Sequence, residues 1–375
     1  MGKKRYSALE IAIIVAEQEL QKRSYPEKKQ KQKKKKKYYT YRKRERYPRD
    51  ESIYNLGQEE EFPIFLEYLG PAIVYVLDKY MPINSSFEEF LRLRDGLVCL
   101  HLQRYFGKSL RRSMGIIRYI TKRDFPHVIV PCFKTLNNYQ NDSNFTHYFD
   151  NVIEITSQPL HVLETKFSTD GTGEATSCRT PWYSIKIGKE IKKKEHKIAT
   201  VTSTILLNAA VAVEVSDSED PKTAIKHVEL VSKNFSIKDW SGDSFYLMRA
   251  LCTKIREKGG QAHIRIKSNT IVNQKGSQEW GRMVTLMKQK NEKEIDELNL
   301  RQNAESTNSA KKRKFGGYTR AKNDFSQIND IKASWSCYNF SVLSRAYQEY
   351  DIKPDFLQHN LSRDFFKLHT TYPYT

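Results

Sequence analysis

Residues 161–173 read HVLETKFSTDGTG, and at this stretch the sequence pattern changes from helical to β-rich. Its partly alternating apolar and polar residues predict a strand that ends at Asp170, where glycines follow. Two further stretches, 182–187 and 198–215, have the same β-rich character. Together the three stretches predict antiparallel strands at the start of a sheet.

Helical and strand patterns alternate after residue 215. Glycine pairs stop two of the helical patterns, as expected of residues that end helices. A sheet that continues between helices is typical of an α/β fold with a mixed β-sheet flanked by helices, which we predict here. The predicted elements are a helix at 222–233, a strand ending at Asp239, a helix from Ser244 to Lys258, a strand from His263 to Lys267 and a helix around 278–314.

Apolar residues recur at helical spacing from 58 to 150, which predicts an N-terminal helical region. Ser85 and Glu88 form a capping-box pattern that opens a helix towards Gly107, and a second helix starts near Ser109. Two helices joined by a short turn, the second of them basic, are typical of a helix-turn-helix DNA reader. A pair that serves only packing is the alternative. The residues expected to contact DNA here are Arg111, Arg112 and Arg118.

The chain is strongly basic, with 64 Lys and Arg against 44 Asp and Glu. Residues 1–50 hold 18 of these basic residues against 6 acidic ones, including the lysine-rich run 28–37. Like charges at this density repel one another, so we predict a largely disordered extension with one short helix at 8–22. The excess favours a nucleic-acid partner. Adhesion to an anionic membrane surface is the alternative.

Several classes of protein are disfavoured by absent patterns. No apolar run approaches the roughly 18–20 residues that span a bilayer, and the N-terminus lacks the apolar stretch of a secretory signal. The five cysteines are widely spaced and form no C-x-x-C pair, so neither disulfides nor a zinc site is indicated. No phosphate-binding G-x4-G-K-[ST] loop occurs. We therefore expect a soluble, intracellular protein without membrane contact.

Three acidic residues are candidates for metal binding. Asp170 and Asp239 are both predicted at strand ends, and Glu305 shares a helix face with Arg301 and Lys312. Hard divalent ions prefer carboxylate oxygens, and two such ions stabilise both the attacking and the departing oxygen of a phosphodiester. Two of them also have a purely structural interpretation: an Asp-Gly turn for Asp170 and a surface ion-pair ladder for Glu305. The nearby Asp243 is interpreted as a helix cap, not as a ligand.

The order of these motifs resembles the insertion-sequence transposases of the DDE type. Their catalytic domain is ribonuclease-H-like, and the resemblance covers about residues 130–335. Leu298 stands where the family has Tyr, and Gly242 where it has an aromatic residue. The matching motifs are Asp170-Gly171-Thr172-Gly173, Trp182, Lys192-Lys193-Lys194-Glu195-His196, Asp239-Trp240-Ser241-Gly242-Asp243-Ser244, Lys267-Ser268-Asn269, and Arg301, Glu305, Lys312 and Phe315-Gly316.

The resemblance implies a metal-dependent enzyme that cleaves DNA at transposon ends and joins the freed 3′-hydroxyl to target DNA. Asp170, Asp239 and Glu305 would hold two Mg²⁺ or Mn²⁺ ions. Its partners would be double-stranded DNA, both inverted repeats and target, and a second copy of the chain on paired ends. The location implied is cytoplasmic and nucleoid-associated. Further residues expected to contact DNA are Arg301, Lys312 and Lys267.

Four segments are predicted on this basis: a basic extension at 1–57, a helical DNA-binding domain at 58–150, a ribonuclease-H-like catalytic domain at 151–335 and a C-terminal extension at 336–375. Two rival functions remain. The first is a decayed or repurposed transposase that only binds DNA, which Leu298 and Gly242 favour. The second is a ribonuclease-H-like nuclease that acts on RNA–DNA hybrids and needs neither the basic helix nor the N-terminal region.

Overall fold

The computed structural model describes residues 50–176, 196–273 and 275–357. The predicted helix at 8–22, the lysine-rich run and the predicted strand at 182–187 lie outside the described residues. The helices are α1 Glu51–Glu59, α2 Glu61–Tyr80, α3 Phe87–Phe106, α4 Leu110–Asp124, α5 Phe133–Asn141, α6 Ser143–Ser157, α7 Thr223–Val231, α8 Arg249–Glu257, α9 Gln278–Lys288, α10 Glu292–Asn299, α11 Gln302–Phe315 and α12 Asp324–Tyr350. The strands are β1 Lys166–Ala175, β2 His196–Thr204, β3 Ala210–Ser216, β4 Asp239–Gly242 and β5 Gln261–Ile264.

The strands described form one mixed sheet in the order β3-β2-β1-β4-β5. The strands β1, β2 and β3 pair antiparallel, whereas β4 and β5 run parallel to β1. Parallel neighbours need crossover connections, and here these contain helices α7 and α8. This arrangement confirms the predicted α/β fold with a mixed sheet flanked by helices.

The 27-residue helix α12 joins the N-terminal helices to the sheet. Its residues are buried along most of its length, and Asn339 bonds to both sides. The side-chain amide of Asn339 donates to the Ala210 carbonyl in β3 at 2.7 Å and to the Ile153 carbonyl in α6 at 3.2 Å. A buried polar group with this many partners fixes how the helices lie on the sheet.

The segment boundaries predicted from sequence fall within helices. The boundary at 57/58 lies in α1, that at 150/151 in α6 and that at 335/336 in α12. The described residues form one compact unit, because the apolar faces of α2, α3 and α6 are buried against α12 and β3 instead of forming a separate core. The helical region and the sheet are therefore not separated at residues 150/151, where the change of sequence pattern predicted a boundary.

The predicted pair of helices before the sheet is confirmed as α3 and α4. Gly107 ends α3 with a left-handed backbone, φ 61°, and Ser109 is the N-cap of α4. The cap of α3 is Ser86, whose hydroxyl accepts from the Glu89 backbone N–H at 3.1 Å, so the prediction of Ser85 is wrong by one residue. Ser85 and Ser86 carry the same functional group, so only the backbone conformation decides which of the two caps the helix.

Candidate functional site

Helices α10 and α11 run along one face of β1, in the same direction as the strand. Side chains alternate along a strand, and even-numbered residues of β1 face these helices. Asp170 lies near the middle of this contact. The contacts, in order, are Lys166 Nζ to Glu297 Oε1 at 2.5 Å, Ser168 Oγ to the Arg301 carbonyl at 3.5 Å, Asn308 Nδ2 to Asp170 Oδ2 at 3.0 Å and Lys311 Nζ to Glu174 Oε1 at 2.6 Å.

Asp170 lies within β1 and not at its end, because the ladder with β2 continues as far as Ala175. The predicted strand end at Asp170 is therefore wrong. Gly171 lies in the strand and not in a turn, and its lack of a side chain leaves room for the carboxylate of Glu219. A glycine permits this close approach of a second chain segment.

Asp243 lies beside Asp170. Thr169 pairs with Gly242 in the parallel β1–β4 ladder, so the next residues along the two strands are Asp170 and Asp243. Neighbouring strands are about 4.8 Å apart, and residues in register point to the same face. Asp243 also caps the following 3₁₀ turn, accepting from the Phe245 backbone N–H at 2.8 Å. Asp243 is a cap as predicted, but of this 3₁₀ turn only, because the helix predicted from Ser244 begins at Arg249; its position adjacent to Asp170 was missed.

Glu305 projects from the first turn of α11 into the cavity that Asp170 also lines. This cavity has a volume of about 440 Å³, and Lys312 and Arg313 border it as well. The Glu305 side chain is 60% exposed, and Arg301 Nη1 lies 3.1 Å from its Oε1. Lys312 Nζ donates to the Gly173 carbonyl at 2.8 Å. The structure thus brings together Asp170, Glu305, Arg301 and Lys312, as the sequence predicted.

The electrostatics of the cavity depend on carboxylates that lie near one another. Burial, together with the negative charges of Asp243 and Glu305, raises the pKa of Asp170 to about 6. Hydrogen bonds from the Gly171 backbone N–H and from the Asn308 side chain oppose this shift but are weaker. Like charges held close together disfavour ionisation, and a cation placed between them reverses that effect.

The donor set is suitable for hard divalent cations, since Asp170, Asp243 and Glu305 offer only oxygen ligands. Within the described part of the chain, no three His, Cys, Asp or Glu side chains are grouped closely enough to hold an ion as they stand. Glu305 is the side chain that has to turn, away from Arg301 and towards Asp170, and its exposure leaves it free to do so. These side chains therefore have the oxygen ligands that such ions prefer, although their positions in the described chain do not form a binding group.

Asp239 lies elsewhere. It begins β4 and pairs with Lys166, four residues before Asp170, which is a separation of about 13 Å along the strand. Two metal ions that share ligands lie only about 4 Å apart. The predicted grouping of Asp239 with Asp170 is therefore wrong. The sequence was misleading here because Phe235 and Ile237 are buried alternately, as in a strand. The hydrogen-bonded ladder with β1 begins only after them, at Asp239.

The carboxylate of Asp239 belongs to a buried charge cluster around His263. Nε2 of His263 donates to Asp239 Oδ1 at 3.0 Å, and Nδ1 donates to Glu294 Oε1 at 2.9 Å. Lys166 Nζ lies 3.2 Å from Asp239 Oδ2, and Arg282 Nη1 lies 2.9 Å from Glu294 Oε2. Both carboxylates are therefore already neutralised by cationic side chains. The cluster joins β4 and β5 to α9 and α10, which is a structural role.

This cluster predicts a pH dependence of stability. Burial lowers the pKa of His263, but hydrogen bonds to Asp239 and Glu294 outweigh it and raise the pKa to about 9. Because the folded pKa lies above the unfolded value of about 6.5, the stabilisation is complete below pH 6.5 and is lost as the pH rises through 9. We expect the urea midpoint to fall between pH 6.5 and 9. In His263→Gln this fall should disappear, and a fall of equal size in the variant would contradict the assignment.

The remaining residues expected to contact DNA are all exposed but lie apart from the cavity. Arg111, Arg112 and Arg118 are exposed side chains of α4. Lys267 follows β5, in the loop beyond its end, where its backbone N–H donates to Thr270 Oγ1 at 3.0 Å. The predicted strand ending at Lys267 is thus shorter, ending at Ile264.

Glu219 and Tyr246 border the acidic site and were missed by the sequence analysis. The hydroxyl of Tyr246 donates to Glu219 Oε1 at 2.6 Å, and this places the carboxylate against Gly171. Glu219 lies in the connection between β3 and α7, in a loop with other acidic residues. No local pattern distinguishes it from them, and only the packing against β1 does so.

Comparison with known proteins leaves the family of the chain open. A scan of protein-family models and a search of curated proteins both give no match. Within the described residues, no helix combines the length and apolar character needed to cross a membrane. A function for this chain therefore has to be inferred from the geometry and chemistry of the acidic cavity.

Proposed function

We propose that this chain is a DDE-type DNA transposase with a ribonuclease-H-like catalytic domain. The observation that carries the proposal is the grouping of Asp170 and Asp243 on adjacent strands, with Glu305 bordering the same cavity from α11. Carboxylates from a strand pair and a helix, in a cavity rimmed by basic side chains, suit metal-assisted chemistry on a phosphodiester.

The topology supports the proposal. Three antiparallel strands followed by two parallel ones, with helices in the crossovers, follow the order expected of a ribonuclease-H-like sheet. The acidic residues lie where β1 and β4 run side by side, at the carboxyl end of β4. Ligands of open α/β sheets commonly bind at the carboxyl ends of strands.

Asp170, Asp243 and Glu305 would hold two Mg²⁺ or Mn²⁺ ions, so that Asp243 takes the place first given to Asp239. The ions would supply an acidified water and relieve the charge on the departing oxygen. Burial and the charges of Asp243 and Glu305 raise the pKa of Asp170, and the negative charge of these two neighbours favours a cation beside it. Metal binding would release the proton that Asp170 retains near pH 6.

The basic side chains around the cavity orient the DNA. Arg301 has a planar guanidinium that matches a phosphate, and it becomes available when Glu305 turns away from it. Lys312 already borders the cavity and is held in place by the Gly173 carbonyl. These residues place the scissile phosphate over Asp170. The partners are the two ends of the element and target DNA, bound by a homodimer.

One observation favours a second function, a decayed transposase that binds DNA without cutting it. The Glu305 carboxylate forms an ion pair with Arg301 and does not share an ion-binding position with Asp170 and Asp243. Leu298 and Gly242 add to this, since aromatic residues stand at these positions in the family that the chain resembles. In an active enzyme, Glu305 would have to leave Arg301 and become a metal ligand when metal and DNA bind.

A substrate panel tests the proposal. Full-length chain with Mg²⁺ or Mn²⁺ should nick duplex DNA that carries the terminal repeats flanking its own gene, and a chelator should abolish the nicking. A scrambled duplex is the matched control for end recognition. Cutting confined to RNA–DNA hybrids would contradict the proposal in favour of a hybrid nuclease. Tight binding of the duplex without any nicking would favour the decayed form.

A further inference from the structure

A second cavity lies apart from the acidic one, between α4, α5 and the segment that follows α11. It has a volume of about 690 Å³ and forms an open groove. Its lining contains a single carboxylate, that of Asp330, which is buried and neutralised by Arg104 at 3.3 Å. Five exposed basic residues surround it: Arg111, Arg112, Lys134, Arg320 and Lys322. We call this cavity the basic groove.

The positive charge of the basic groove is not compensated by the protein. Among the described residues, no ion pair involves any of its five exposed cations, although ion pairs are frequent elsewhere in the chain. Like charges this close repel one another and destabilise the fold unless an anion balances them. Such a concentration therefore indicates a polyanionic ligand.

Two of the cations are held in position by aromatic rings. The guanidinium of Arg111 lies 4.6 Å from the centroid of the Phe133 ring, and that of Arg320 lies 5.3 Å from the Tyr318 ring. Stacking on a ring face positions the guanidinium while its edge still carries N–H donors; in Arg320 one of these, Nη2, donates to the Tyr318 hydroxyl at 3.0 Å. A guanidinium held in this way is prepared for phosphate oxygens, which it binds through two parallel hydrogen bonds.

The backbone connects the basic groove to the acidic cavity. Ala175, the last residue of β1, donates to the Gly317 carbonyl at 3.0 Å and accepts from the Thr319 N–H at 2.9 Å. Arg320 therefore follows directly on the end of the strand that carries Asp170. Five residues of strand cover about 16 Å, which is about five base pairs of duplex at about 3.4 Å each.

We propose that the basic groove binds the sugar–phosphate backbone of duplex DNA, about half a helical turn from the phosphate at the acidic cavity. This inference rests on the proposed function, because it takes the DNA at both places to be one molecule. Contacts of this kind recognise the charge and spacing of the phosphates, not the base sequence. They are made by the five cations, two of which are positioned by the rings of Phe133 and Tyr318. An acidic protein segment has the same sign of charge, and its carboxylates also bind guanidiniums, but the direct connection of the basic groove to β1 favours a duplex that reaches both places.

The test compares two variants with the same loss of charge. The groove variant is Arg111→Gln/Arg320→Gln/Lys322→Gln. The control is Lys222→Gln/Lys226→Gln/Lys233→Gln, which changes exposed lysines in and next to α7. Helix α7 covers the opposite face of the sheet, where His227 meets Thr202 at 2.9 Å. Binding of a 30-base-pair duplex is measured in chelator at several salt concentrations, with thermal midpoints as a check on folding.

Each phosphate contact contributes about −0.9 to the slope of log affinity against log salt. Loss of three contacts should make the slope shallower by about 2.7 and weaken binding at least 30-fold at 0.1 M salt, whereas the control should bind like the unchanged chain. Equal effects of the two variants would overturn the basic groove as the binding surface. So would retention of a poly-glutamate peptide by the basic groove in the presence of excess duplex.

The two proposals fail in different ways. If the unchanged chain never nicks DNA but the groove variant alone loses duplex binding, the proposed function fails and the basic groove stands. If the chain nicks DNA and the groove variant binds and nicks as the control does, the basic groove fails and the function stands.

Discussion

Asp243→Asn is expected to abolish metal-dependent strand cleavage, whereas Asp239→Asn is expected to retain it. Asp243 lies next to Asp170 in the β1–β4 ladder, but Asp239 lies four residues earlier and bonds to His263. Loss of a ligand that holds a catalytic ion removes several kcal/mol of transition-state stabilisation. We therefore expect a fall in the cleavage rate of at least ~100-fold for Asp243→Asn, at about 1.4 kcal/mol per tenfold change.

A second measurement separates this effect from a loss of structure. Mn²⁺ at 100 times its dissociation constant should stabilise the unchanged chain by about 2.7 kcal/mol, and this gain should be lost in Asp243→Asn. Asp239→Asn should keep the gain, although its midpoint without metal should fall because His263 and Lys166 lose their partner. An inactive Asp239→Asn that folds normally, beside an active Asp243→Asn, would restore the assignment first made from sequence.

Lys311→Met is expected to destabilise the fold by about 3–5 kcal/mol, because it leaves a buried carboxylate without its counter-ion. Lys311 and Glu174 are both fully buried, with Nζ and Oε1 2.6 Å apart. Burial lowers the pKa of Lys311 to about 8, and the charge of Glu174 opposes this shift. The pair joins α11 to β1, so its loss releases the helix that carries Glu305.

Urea unfolding of Lys311→Met measures this effect, and Arg313→Met is the matched control. Arg313 is exposed two residues further along the same helix, and its loss should change stability by less than about 0.5 kcal/mol. The double variant Glu174→Leu/Lys311→Met should recover most of the loss, since paired apolar replacements of buried ion pairs are often neutral. A Lys311→Met chain as stable as the control would contradict a structural role for the pair.

The elements of the fold were largely predictable from sequence, because their signals are local. The apolar period that predicts α3 and the glycine that ends it at Gly107 lie within one short stretch of chain. The mixed sheet followed in the same way from alternating strand and helix patterns. The segment boundaries were not predictable, since the residues of α12 that cover both α6 and β3 are buried by packing and show no break in pattern.

The candidate site divides in the same way. The sequence predicted a basic helix face around Glu305, and its resemblance to the DDE transposases predicted that Asp170 and Glu305 share one site; the structure has both lining one cavity. Only the tertiary structure decided between Asp239 and Asp243. Asp239 and Asp243 are two aspartates in one short motif and are equivalent as sequence, but strand register places Asp243 beside Asp170 and Asp239 beside Lys166. Register depends on hydrogen bonds to a strand some 70 residues away, and no local pattern carries that information.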